Sequence, residues 1–166
     1  MGVPSERKAD EYRVAITPDG VAELAHHGVT VLVESGAGAG AALDDDTFRA
    51  AGAEIVADAA DVWGRAGLVC KVNEPQPSEY GYLRSDLVLF TYLHLAAYPQ
   101  VADELLRAGT TGVAYETVQA ADGSLPLLAP MSEVAGRMAA QIGAHFLERS
   151  EEHTSELQSR ETISYA

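Results

Sequence analysis

Leu87-Val88-Leu89-Phe90-Thr91-Tyr92-Leu93 is an almost unbroken run of apolar, β-branched and aromatic residues. A strand with one wet face alternates between apolar and polar residues. This run does not, so both of its faces need cover, as when helices pack on the two sides of a parallel sheet. The flanking sequence keeps the same rhythm. Upstream, Leu68 to Val72 is a second short buried strand, preceded by a helix over Ala59–Arg65 and a strand over Glu54–Ala57. Downstream, Pro99–Ala108 reads as a helix closed by Gly109, and Thr111–Thr117 as a strand. Further back, Thr17-Pro18 forms a cap and first helical position, Val21, Leu24 and Ala25 an apolar stripe, and Gly28 a stop. A strand over Val29–Glu34 and a helix over Asp45–Ala51 follow. Strands alternating with helices make βαβ units, so the expected fold class is α/β, a mostly parallel sheet with flanking helices. From Ser132 to Glu148, Val134, Met138, Ile142 and Phe146 recur at helical intervals, which predicts one long helix.

The 166 residues are 47% hydrophobic, enough for one ordinary core. Eleven basic against twenty-five acidic side chains give a formal charge of −14. Such a surface repels phosphate backbones and anionic lipid, so neither nucleic acid nor a membrane is expected as a partner. The single cysteine, Cys70, lies in an apolar run and reads as a small buried hydrophobe. The first residues lack the apolar stretch of a signal peptide, so the expected location is cytoplasmic.

Gly36, Gly38 and Ala41 meet the loose dinucleotide pattern between a strand and a helix, with Asp58 about twenty residues on. Asp44-Asp45-Asp46 argues against that use, because three carboxylates at the helix start would face the pyrophosphate. The segment reads as a tight glycine turn, the aspartates as a solvated cap, and His26-His27 as a helix end. No metal site is expected. His94 leaves the carboxyl end of the apolar strand, where open parallel sheets place their ligand crevice. Its ring can exchange a proton near neutral pH; alone, it reads sooner as a satisfied structural histidine than as a catalytic one. Arg13, in Glu11-Tyr12-Arg13-Val14-Ala15-Ile16, offers a planar fork that fits a carboxylate, or else a surface ion pair with Glu11 or Glu34.

Five blocks resemble the alanine dehydrogenase family in order and spacing. They are Glu11-Tyr12-Arg13-Val14-Ala15-Ile16-Thr17-Pro18, Lys71-Val72-Asn73-Glu74-Pro75, Phe90-Thr91-Tyr92-Leu93-His94-Leu95-Ala96-Ala97, Ala114-Tyr115-Glu116-Thr117-Val118 and the stretch from Leu125 to Arg137. The resemblance covers residues 1–148 and implies a Rossmann-like or flavodoxin-like substrate domain. It also implies NAD-dependent oxidation of L-alanine to pyruvate and ammonium in a homo-oligomer, a hexamer in the family. In that scheme Arg13 and Lys71 bind the substrate carboxylate, His94 is the catalytic proton carrier, and Met131 and Ser132 touch NAD. Asn73 departs from the family, which commonly has a second substrate-binding lysine there; an amide brings no positive charge. The related proton-translocating NAD(P) transhydrogenase alpha subunits often carry asparagine there, but usually lack histidine at the position of His94. A non-catalytic keto-acid binding module is the other alternative.

The expected organisation is an incomplete substrate domain over 1–130, a linker helix over 131–148 toward an absent NAD-binding domain, and a tail over 149–166. The tail is polar, is expected to be disordered, and resembles the reading-frame translation of a short-read sequencing adapter. The first strand is expected to be short or frayed before a turn at Gly2-Val3-Pro4.

Overall fold

The computed structural model describes residues 1–161, with their side chains as far as Glu148. The chain divides into two compact units, residues 1–118 and 119–166.

In the first unit the described residues build a six-stranded sheet: β1 (Gly2–Val3), β2 (Leu32–Glu34), β3 (Glu54–Val56), β4 (Leu68–Cys70), β5 (Val88–Thr91) and β6 (Thr111–Ala114). Its order is β3-β2-β1-β4-β5-β6, and every pairing is parallel. Four helices cross between strands: α1 (Pro18–His26), α2 (Asp45–Ala50), α3 (Ala59–Arg65) and α4 (Pro99–Ala108). The Thr17 hydroxyl accepts from the Gly20 N–H at the start of α1, and Gly109 takes the left-handed conformation that closes α4.

Period-two alternation divides the core between the faces. On one face Val69 and Leu89 pack with Ala59 and Trp63 of α3 and Val101 and Leu105 of α4. On the other, Val33 and Cys70 pack with Val21 of α1 and Phe48 of α2. Trp63 and Phe48 are wholly buried; each large apolar side chain placed this way contributes roughly 1.5–3 kcal/mol.

The first strand is short, as expected, but not frayed. Gly2 and Val3 are buried and paired to β2 on one side and β4 on the other. The turn expected at Gly2-Val3 is therefore a strand, with Gly2 chosen for closeness: a Cβ there would come within 2.7 Å of Val62 and 2.8 Å of Ala66 on α3. The last expected strand is cut short, because the chain leaves β6 at Ala114 and makes a 3-10 turn over Tyr115–Thr117. A further 3-10 helix over Pro77–Tyr82 had no apolar period to announce it.

In the second unit the helix expected over 131–148 is α5, Ala129–Glu161. Its backbone runs through the first part of the tail expected to lack regular structure. That stretch has neither proline nor glycine, and its four glutamates and two arginines favour a helix. The remainder, residues 162–166, lies outside the described residues.

Candidate active site at the carboxyl edge of the sheet

Because every strand is parallel, the loops after β1, β4, β5 and β6 leave from one edge. The order reverses between β1 and β4, and a doubly wound sheet opens its ligand crevice at that switch point. Arg13 lies on the loop after β1, Asn73 and Glu74 follow β4, His94 follows β5, and Glu116 follows β6.

Backbone pairing continues past the strand ends and carries these residues to the edge. The Lys71 N–H donates to the Phe90 carbonyl at 3.0 Å and the Tyr92 N–H to the Val72 carbonyl at 3.2 Å. Glu6 draws in the loop after β1, its carboxylate accepting the Val72 N–H at 2.6 Å.

His94 sits in the left-handed region, with φ +48. For a residue other than glycine this costs roughly 1–3 kcal/mol and persists only where the surroundings enforce it. The Glu116 carboxylate does so, accepting the Leu93 N–H at 3.1 Å and the His94 N–H at 2.8 Å. The ring stacks on Tyr92 with centroids 5.7 Å apart, and its Nδ1 lies 2.9 Å from Glu74 Oε2. Glu74 is buried, and its other oxygen accepts from Lys8 Nζ at 2.7 Å. Burial pushes the Glu74 carboxyl up, but the hydrogen bonds from Lys8 and His94 outweigh it and hold the group below the ordinary carboxylate range. Beside the histidine is a cavity of about 410 Å³ whose lining includes Leu95, Ala96, Ala97, Ala114 and Glu116.

Arg13 forms the ion pair with Glu11, not with Glu34: Nε and Nη2 lie 2.8 and 2.6 Å from its two oxygens. Asn73 Nδ2 donates to the same carboxylate at 2.6 Å. The bonds from Arg13 hold Glu11 at about 2, well below its usual 4.5, while Glu34 pairs with Arg7. An incoming carboxylate therefore competes with Glu11 for the arginine fork.

Lys71, assigned above to the substrate carboxylate, is wholly buried, its ammonium 2.9 Å from Glu79 and 3.3 Å from Glu6 in the floor of the site. Burial pushes the Glu6 carboxyl up even beside this lysine. Met131 and Ser132 are exposed residues of α5, in the second unit.

The glycine segment does not fit a dinucleotide. Asp45 accepts the Gly36 N–H at 2.8 Å and the Ser35 hydroxyl at 2.7 Å, and Asp44 caps α2 through the Thr47 N–H. The Ser35 hydroxyl and the Gly36 and Thr47 N–H groups, which could meet a phosphate, are thus already taken by carboxylates. Gly38 and Gly40 are packing positions, since a Cβ would lie 2.5 Å from the Leu43 carbonyl or 2.7 Å from that of Tyr12.

Residues 2–135 match the family model described as alanine dehydrogenase/PNT, N-terminal domain. The chain belongs to this family. It is 58% identical over 151 residues to an alanine dehydrogenase of Mycobacterium tuberculosis, covering 91% of this chain and 41% of that protein. With an alanine dehydrogenase of Bacillus subtilis it is 58% identical over 149 residues, 90% of this chain and 39% of the relative. A solved L-alanine dehydrogenase superposes with a TM-score of 0.83 at 47% identity, over 90% of this chain and 42% of that one. A transhydrogenase from Sinorhizobium meliloti gives 0.65 at 30% identity, over 69% and 34%. The chain thus spans about two fifths of the length of the curated relatives it matches.

Glu74, Glu116 and Lys8 escaped the sequence reading. Glu74 and Glu116 lie inside blocks shared with the family, but which side chain each would hold depends on loops 20 to 66 residues apart.

Proposed function

We propose that this chain is the substrate-binding part of an NAD-dependent L-alanine dehydrogenase. The observation that carries the reading is His94, kept in a left-handed conformation at the carboxyl edge with Nδ1 on a buried carboxylate. NAD would accept the hydride from the α-carbon, a chemistry that belongs to the cofactor. The glycine segment does not hold it, and the residues assigned to touch it are Met131 and Ser132. Arg13 binds the carboxylate of alanine or pyruvate by exchanging Glu11 for the substrate. Asn73, within reach of the same position, donates a neutral hydrogen bond where the family commonly uses a lysine. His94 takes and returns a proton at the carbon that exchanges its amine for oxygen, through Nε2, which no described group hydrogen-bonds. Lys71 keeps a structural part. The reading extends to a cytoplasmic homo-oligomer.

Titration calorimetry with pyruvate, with and without NADH, tests this. Binding that Arg13→Ala weakens and that NADH strengthens supports the reading; pyruvate binding indifferent to NADH supports a keto-acid module. Asn73 favours the transhydrogenase as second reading, and binding of NADH without any response to pyruvate would select it.

A further inference from the structure

We infer that Glu74, with Lys8 behind it, is a positioning residue that sets the tautomer of His94, leaving Nε2 as the unprotonated nitrogen that faces the ligand. The inference deepens the proton-carrier role proposed above, but its geometry stands apart from catalysis.

A neutral imidazole has one N–H and one lone pair, and the partner of one nitrogen decides the state of the other. His94 Nδ1 lies 2.9 Å from Glu74 Oε2. An ionised carboxylate can only accept, so Nδ1 must carry the proton and Nε2 must present a lone pair. Lys8 makes the assignment unambiguous, because its ammonium, 2.7 Å from Glu74 Oε1, can only donate and so favours an ionised acid. Lys8 is itself held, its Nζ 5.0 Å from the centre of the Tyr98 ring. Burial alone would lower the Lys8 ammonium, but Glu74 more than offsets this and raises it, so both partners stay charged. The side chain of Glu74 is 3% exposed and that of His94 42% exposed, so the relay runs from a buried anion to an open ring.

The other groups around the ring do not compete for Nδ1. Glu116 is occupied by the backbone N–H groups of Leu93 and His94. Tyr92 meets the ring by stacking and Tyr98 edge to face, with centroids 6.5 Å apart for the latter.

The device has a testable asymmetry. In Glu74→Gln the amide has one oxygen and one NH2. Lys8 can only donate, so the oxygen turns to Lys8 and the NH2 to His94. Nδ1 must then accept, and the proton moves to Nε2. Removing Lys8 as well leaves on that side only Gln76 Nε2, 3.3 Å from Glu74 Oε1, a long neutral bond that lets the amide turn its oxygen back to Nδ1.

The test is 15N NMR of the 166-residue chain labelled in histidine, well above the ordinary histidine value of about 6.5, with His94 assigned by its loss in His94→Gln. The expected result is a protonated Nδ1 in the wild type, a protonated Nε2 in Glu74→Gln, and a return to Nδ1 in Lys8→Met/Glu74→Gln. A wild-type ring protonated on Nε2 would overturn the inference, and so would a Glu74→Gln ring that keeps its proton on Nδ1. A double variant that stays on Nε2 would remove Lys8 from it. Should Glu74→Gln fail to fold, the wild-type tautomer decides. Loss of pyruvate binding with these tautomers intact would sink the proposed function and leave the positioning role standing.

Discussion

The loop after β2 and the loops after β4 and β5 leave the same edge of one sheet, and both carry residues that suggest chemistry. They spend them differently. After β2, Asp45 takes the Ser35 hydroxyl and the Gly36 N–H, and Asp44 takes the Thr47 N–H, so carboxylates stand where a phosphate would have to bind. After β4 and β5, Lys71 pairs with Glu6 and Glu79 in the floor and Glu74 pairs with Lys8, while the His94 ring stays open above them. What separates a turn from a site is whether polar capacity remains once the chain has satisfied itself.

The largest expected effect is on turnover. In a protein of the relatives' length carrying this segment, His94→Ala should lower kcat by about 10²–10⁴-fold, the range for a lost proton transfer, with a small change in KM. Steady-state kinetics would show it, and near-parental turnover would erase the contrast between the loops.

Lys71→Ala should next cost about 3–5 kcal/mol of stability, because it strands two buried carboxylates. Lys71→Met should cost less than this, since it fills the space, and denaturant melts of the two variants would separate packing from charge. Arg13→Ala should weaken pyruvate binding by the roughly 1.5–3 kcal/mol of a charged hydrogen bond, read by calorimetry, with little change in melting.

Gly38→Ala sharpens the comparison from the other side. Its Cβ would press on the Leu43 carbonyl, and overpacking of this kind costs roughly 1–3 kcal/mol. Pyruvate affinity should not change; a loss of NADH affinity without a loss of stability would reopen the glycine loop as a cofactor site.

The smallest effect concerns acid. Glu11 titrates at about 2 in the folded chain against an ordinary 4.5, so its contribution is fully present above 4.5 and is lost as pH falls toward 2. Glu11→Gln should flatten the acid limb of the stability profile over that window, modestly, because the Arg13 partner is half exposed and water screens the pair.

The sheet and its helices were legible because their signals are local. Thr17-Pro18 caps α1, Gly109 ends α4, and the two-faced apolar run around Leu89 demands cover. The place of His94 at the carboxyl edge was legible for the same reason, since it comes directly off such a run. The burial of Lys71 was not legible, because it depends on Glu6 and Glu79 arriving from other loops, and a lysine fated for burial looks like any other in a linear chain. Glu74 was invisible as a partner of His94 for the same reason. Asp45, conversely, gave itself away by standing where a phosphate would need to be.

β1 holds the centre of the sheet with two residues, and its neighbour Val69 is 67 positions away along the chain from Gly2. The halves β2-β3 and β4-β5-β6 can each assemble from nearby sequence, whereas joining them requires closing that long loop for a meagre return in hydrogen bonds. The seam under the crevice should therefore be the last part of the sheet to zip during folding. In the native protein, the Val3 and Val69 amides should exchange with solvent sooner than that of Leu89.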